Sequence, residues 1–205
     1  MPSLEAMAGV LLASGLSRRF GASKLVAELG GRPLAFWAID CLASVPLAER
    51  SMVHGPHTDT ELLDYARHTG LALVENADAA LGMGGSIAAG FGAVNGVSHA
   101  FLALADMPFV RPDDYRALAS ALEQAPEKSI AAPLFEGRRG HPVLFARQHF
   151  PALRLLQGDK GGGAIIRANG PALAQVRSRN RGVLIDIDTP AALAEAEDYA
   201  LALSE

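Results

Sequence analysis

The chain has 205 residues, half of them apolar and a fifth charged, which suits one α/β domain with a sizeable core. Its formal net charge is -4 and it has no basic run, so a nucleic-acid backbone is not expected as a partner. A single cysteine, Cys41, excludes an internal disulfide and argues against a Cys-ligated zinc or iron–sulfur site.

The first apolar run, residues 7–13, has no basic segment before it and is far short of the ~20 residues a membrane span needs. A soluble, cytoplasmic protein without membrane contact is therefore expected. Short apolar runs then alternate with longer amphipathic stretches. Strands are predicted at 8–13, 51–54, 71–75, 100–105, 129–132 and 142–146, with a further one at 183–188. Several are apolar on consecutive residues, as expected of strands covered on both faces. Helices are predicted at 33–44, 58–68, 84–95, 112–124, 147–155 and 190–203, with Pro33, Pro112 and Pro190 in first turns. Cys41 falls in the first of these, as a small packed thiol. The alternation predicts an α/β fold. It is a single-domain, doubly wound, mostly parallel sheet with helices on both faces, and ligands bind at the carboxyl ends of its strands.

Five regions carry candidate chemistry. The first strand runs into Ser14-Gly15-Leu16-Ser17-Arg18-Arg19-Phe20-Gly21-Ala22-Ser23-Lys24, a glycine- and serine-rich loop with three cations. Converging backbone N–H groups, a guanidinium fork and a mobile ammonium suit phosphate oxygens. It is neither a Walker A loop nor G-x-G-x-x-G, and a solvated surface turn is the alternative. Residues 81–90, Leu-Gly-Met-Gly-Gly-Ser-Ile-Ala-Ala-Gly, form a glycine-rich entry to a helix, where Ser86 caps or donates. Asp106 ends an apolar strand just before Pro108, so it either caps a turn or faces the ligand crevice, where an ionised carboxylate suits Mg²⁺. Arg138-Arg139-Gly140-His141-Pro142 offers a histidine whose structural role outweighs that of a general base. Gly158-Asp159-Lys160-Gly161-Gly162-Gly163 is a lid or a turn. Finally, Asp186 and Asp188 lie two apart before Pro190, where Asp188 either caps a helix or joins a cation site.

These segments resemble, in order, the signatures of the MobA-like nucleotidyltransferases. Gly15 to Lys24 is similar to G-x-S-x-R-M-G-x-x-K, with Phe20 in place of Met. The segment 81–90 is similar to G-M-x-x-S-[LI], Leu104 to Pro108 to L-x-x-D-x-P, and Asp186 to Pro190 to D-I-D-T-P. Arg139-Gly140-His141-Pro142 resembles the R-G-H-P of the molybdenum cofactor cytidylyltransferase branch, and Gly158 to Gly161 resembles G-D-x-G. The resemblance implies a nucleotide-diphospho-sugar transferase-like, Rossmann-type fold. It implies a nucleotide-binding part at about 7–110 and an acceptor-binding part at about 111–190.

It further implies transfer of CMP from CTP to molybdopterin, or its molybdenum form, with pyrophosphate release and Mg²⁺ as cofactor. A recipient molybdoenzyme is a further partner it allows. Arg19, Lys24 and Asp106 are the implied catalytic residues. Ala13, Ser14, Gly15, Ser17, Gly82 and Ser86 are the implied nucleotide contacts, while Arg139, His141 and Lys160 lie toward base or acceptor. Asp106 and Asp188 are the implied metal ligands, with Asp186 second to Asp188. Ser14 departs from the family, in which alanine at that position goes with CTP and glycine with GTP. Three alternatives stay open: a GTP-using guanylyltransferase, a sugar or alditol phosphate nucleotidyltransferase, and a non-catalytic molybdenum cofactor chaperone.

Overall fold

The computed structural model describes residues 3–15, 20 and 23–202. In chain order its strands are β1 (Met7–Leu12), β2 (Glu28–Leu29), β3 (Arg32–Pro33), β4 (Glu49–His54), β5 (Ala72–Glu75), β6 (His99–Leu104), β7 (Ile130–Phe135), β8 (Arg138–Arg139), β9 (Val143–Ala146) and β10 (Leu173–Arg177). The helices are α1 (Leu34–Ser44), α2 (Thr60–His68), α3 (Met83–Ala93), α4 (Pro112–Gln124), α5 (Phe150–Arg154), α6 (Gly163–Ala168) and α7 (Pro190–Ala202).

Eight strands form one sheet in the order β10-β7-β9-β6-β1-β4-β5, with β8 paired to β7, and β2 pairs with β3 apart from it. Strands β5, β4, β1 and β6 run parallel, as do β7 and β10; β9 runs against both its neighbours. The sheet is thus mixed but mostly parallel, within a single domain.

Burial explains the layering. Every residue of β1 is buried, because each face of the strand meets helices. Met7 and Leu11 join one core with side chains of α1, α2 and α4. Ala8, Val10 and Leu12 join the opposite core with α3, α5 and α6. Strand side chains alternate between faces, so a consecutive apolar run is what two-sided cover demands. On one face a Cβ at Gly90 of α3 would lie 2.4 Å from Val10 and 2.8 Å from Val53. Those branched side chains have little room to turn, so glycine sets how closely α3 approaches the sheet. Helix α7 packs on a smaller cluster built around Leu29, Leu34, Phe109 and Ile187.

Three sequence expectations need correction. The segment 183–188 is not a strand. Residues Arg181–Leu184 form a 3₁₀ turn, and the backbone groups that follow are shared among separate segments. His141 N–H donates to the Val183 carbonyl at 3.0 Å, and Ile187 N–H donates to the Asp106 carbonyl at 3.0 Å. Strand β10 was not expected, since its short run is only half-buried at the sheet edge. Pro33 lies one residue ahead of α1, as the last residue of β3, whereas Pro112 and Pro190 do open their helices.

No helix among the described residues is long and apolar enough to cross a membrane. Burial pushes the Cys41 thiol up to about 12, helped by Asp114 and Asp40, which suits packing rather than reactivity.

Burial also lowers the pKa of His99, His141 and His149. A histidine lowered in the fold takes up its proton less readily there than in the unfolded chain. Its contribution to stability is therefore present above the unfolded value of about 6.5 and is lost as pH falls below it. The melting temperature is expected to drop between pH 7 and pH 5. A flat or rising profile over that interval, in matched ionic strength, would contradict this.

Candidate functional site

The site lies where a twisted parallel sheet offers its ligand edge, at the carboxyl ends of β1 and β6. These strands are neighbours, with Leu12 opposite Leu104. The chain leaves β1 through Ala13, Ser14 and Gly15, and leaves β6 through Ala105 and Asp106. Ala13 N–H donates to the Val53 carbonyl at 2.8 Å and Ala105 N–H to the Leu12 carbonyl at 3.0 Å, so both exits are fixed by the sheet itself. The Ile187–Asp106 backbone bond then lays residues 186–188 alongside Asp106. Close packing holds that segment in place: a Cβ at Gly182 would sit 2.2 Å from the Phe109 carbonyl oxygen, and one at Gly140 would sit 2.0 Å from that of Val183.

A cavity of about 390 Å³ opens at this edge. Ala13, Ser14 and Gly15 line it from β1, Gly82 and Ser86 from the start of α3, and Lys24, Asp106, Asp186 and Asp188 from the far wall. At its centre Lys24 Nζ donates to Asp106 Oδ2 at 2.6 Å and to Asp188 Oδ1 at 2.5 Å. The lysine side chain is 9% exposed, the Asp106 side chain 20% and the Asp188 side chain 47%. Burial disfavours the ammonium, but Asp106 and Asp188 more than offset it and raise the Lys24 pKa. Two carboxylates from positions 82 residues apart thus share one cation.

The described residues give this cavity an excess of negative charge. Among the described residues four carboxylates, Asp106, Asp159, Asp186 and Asp188, line it against the single ammonium of Lys24. Asp106 Oδ1 is buried and has no hydrogen-bond partner among the described residues. An orphaned carboxylate oxygen next to a second carboxylate fits a divalent cation. Among the described residues no three metal-binding side chains converge, so the site offers a pair, with Asp186 beside it. That donor set suits Mg²⁺, which takes one or two protein carboxylates and completes its shell with water and phosphate oxygens.

A buried polar network forms the opposite wall. Ser14 Oγ donates to Ser86 Oγ at 2.6 Å, and Asn76 Nδ2 donates to the same oxygen at 3.0 Å. Asn76 Oδ1 in turn accepts from Asp78 N–H at 3.1 Å, which fixes the amide orientation. Sequence reasoning missed Asn76. Its signal was its place, directly after β5 on the ligand edge. Gly82 takes φ 118°, and a Cβ there would lie 2.4 Å from Gly158, so only glycine allows the 158–159 loop to close over α3. Gly158 O accepts from Gly84 N–H at 2.8 Å.

The remaining candidates are placed differently. Ser17 and Arg19 lie outside the described residues. Arg139 and Lys160 are exposed and do not line this cavity; Asp159, the neighbour of Lys160, does. His141 sits behind it, with Nδ1 at 3.4 Å from the Leu102 carbonyl oxygen. Burial lowers its pKa against the opposing pull of that bond, Asp106 and Asp186.

Comparison with known proteins gives consistent relatives. A family model described as a MobA-like NTP transferase domain matches residues 9–176. The chain is 30% identical to "Purine catabolism protein PucB" of Bacillus subtilis, covering 89% of this chain and 91% of that protein. It is 29% identical to "Probable molybdenum cofactor guanylyltransferase" of Pyrococcus furiosus, covering 83% and 84%. Among solved structures, a homologue of Mycobacterium tuberculosis Rv0371c from Mycobacterium sp. strain JC1 superposes with a TM-score of 0.84 at 24% identity, over 97% of this chain and 98% of that one. Rv0371c from Mycobacterium tuberculosis in complex with manganese superposes with a TM-score of 0.77 at 20% identity, over 94% and 98%.

Proposed function

The chain belongs to the MobA-like NTP transferase family, a nucleotidyltransferase family, and on that premise we propose that it moves CMP from CTP onto molybdopterin with release of pyrophosphate. The observation that carries this reading is the Lys24 ammonium shared by Asp106 and Asp188 in a cavity lined by the β1 loop. A polyanionic nucleotide needs cations in a place already rich in carboxylates, and this is where a metal-bound triphosphate would find them.

In this reading an acceptor phosphate oxygen attacks the α-phosphorus of CTP. The new P–O bond forms as the bond to the β-phosphate oxygen breaks, and the electron pair leaves with pyrophosphate. Asp106 and Asp188 would hold Mg²⁺, with Asp186 the second choice to Asp188, and the ion would neutralise charge on the phosphates. Gly15 brings backbone close to phosphate oxygens, and Lys24, with Ser17 and Arg19, balances charge on the leaving group. A phosphate monoester has its second pKa at about 6 and is mostly dianionic at neutral pH, so no side chain need remove a proton. His141 is then a packing and positioning group, in keeping with its depressed pKa.

Residues 7–110 would take the nucleotide and 111–190 the acceptor. Ala13, Ser14, Gly82 and Ser86 line the wall assigned to base and ribose; Arg139 and Lys160, both exposed, would reach the acceptor only from outside this cavity. The manganese complex of Rv0371c and the donor set here both support a divalent ion.

One observation favours a second reading. The Pyrococcus furiosus relative is described as a guanylyltransferase, and Ser14 matches neither base preference. The test measures pyrophosphate release with Mg²⁺ and molybdopterin, using CTP, GTP and ATP in parallel. CTP is expected to exceed the others by about tenfold or more, the discrimination of a few well-placed hydrogen bonds. Faster release from GTP would make the product a guanine dinucleotide. Release only with a sugar or alditol phosphate would change the acceptor. No release with any pair would leave the chaperone reading.

A further inference from the structure

We infer that the chain carries a second ligand site, for a phosphate-bearing small molecule, in a cavity walled by Arg111, Arg177 and Arg179. This cavity, of about 330 Å³, shares no lining residue with the one that holds Lys24. It lies beyond the carboxyl ends of the parallel pair β7 and β10 and beside the start of α4. That is the same edge of the sheet as the first cavity, two strands further along. Its volume falls in the lower range of small-molecule pockets.

Charge is distributed unevenly in its walls. The side chains of Arg111, Arg177 and Arg179 make no hydrogen bond or ion pair among the described residues, and all three are exposed at the cavity. The two acidic residues beside them are already committed. Asp113 Oδ1 accepts from Arg116 Nη1 at 2.6 Å. Asp114 is buried and accepts from Arg111 N–H at 2.9 Å, Ser178 Oγ at 3.1 Å and Asn180 Nδ2 at 2.7 Å. Its carboxylate takes three neutral donors and holds the wall together. On a chain of net charge -4, three guanidiniums without a partner among the described residues, set against two aspartates, leave a local excess of positive charge around one concavity. Guanidinium forks match phosphate oxygens in geometry as well as in charge.

The cavity wall is also tied to the first site. Asn180, held by Asp114, donates to the Phe109 carbonyl at 2.9 Å and accepts from Gly182 N–H at 2.8 Å. The same segment runs on to Asp186 and Asp188. A ligand here would therefore brace the strip of chain that presents those carboxylates.

The experiment titrates inorganic phosphate into the full chain by calorimetry, with sodium chloride matching ionic strength throughout. Lys24→Ala, which removes the cation of the first cavity, is compared with wild type and is the background for Arg177→Gln/Arg179→Gln and, as a milder change, for Arg111→Gln. The arginine side chains make no hydrogen bond or ion pair among the described residues, and melting curves verify that each variant is folded. Saturable phosphate binding in wild type and in Lys24→Ala, weakened at least about tenfold in the double arginine variant and measurably in Arg111→Gln, is the expected result. Binding that survives the arginine changes, that disappears with Lys24, or that is absent from wild type would overturn the assignment.

Discussion

Asp106→Ala is expected to lower turnover by roughly three orders of magnitude or more, the scale of losing a preorganised electrostatic group at a reacting phosphate. The two oxygens of this side chain are in different situations. Oδ2 is bonded to Lys24, and Oδ1 is buried without a partner among the described residues. A buried acceptor left unmade costs on the order of 1–3 kcal/mol in a resting protein, so its retention calls for a use. In the proposed reaction that use is a divalent ion. Asp106→Asn keeps the shape but loses the charge, and it is expected to fall as far as alanine does. Steady-state pyrophosphate release, with melting curves to show an intact fold, checks both. Turnover within tenfold of wild type in either variant would remove Asp106 from the metal site.

The second large effect concerns Lys24, and it has two parts of opposite sign. Lys24→Met should lower kcat/KM by about 10²–10³, since a charge that faces the triphosphate would be gone. The same substitution should tighten binding of Mn²⁺ in the absence of nucleotide by about tenfold, as expected when an ammonium no longer competes for two carboxylates. Wild type has the lysine between Asp106 and Asp188; methionine leaves the pair uncompensated. Isothermal titration of manganese, set beside the kinetics, separates this from simple damage. A variant that loses both activity and manganese affinity would show that Lys24 builds the pocket rather than sharing it.

Much of this site was legible in the sequence because position in an α/β fold is itself chemical information. Gly15, Lys24 and Asp106 follow strands recognisable by their apolar runs, and such exits face the ligand edge. The structure brings them to one cavity with Asp188. What the sequence hid is tertiary. The stretch 183–188 reads as a strand, yet its backbone partners are His141, Asp106 and the nearby Asn180 and Gly182 rather than one ladder. Nothing in one dimension says that Val183 will be pinned by Gly140. Asp159 and Lys160 are neighbours in a glycine-rich loop, and only packing against Gly82 decides that the acid faces the cavity. Asn76 has no motif of its own, and it matters through Ser86, ten residues away. The antiparallel β9, wedged between β6 and β7, follows from the tight turn through Glu136 and Gly137, both at positive φ, and from the return of the chain at 140–142.

The most direct measurement is the anomalous signal of manganese in crystals grown with MnCl₂ and a non-hydrolysable CTP analogue. The account predicts one strong peak within bonding distance of carboxylate oxygens from both Asp106 and Asp188, with a phosphate oxygen on its open side and Lys24 Nζ displaced toward the phosphates. Nucleotide bound with no manganese at that pair, or with Lys24 still clasped between the two aspartates, would contradict it.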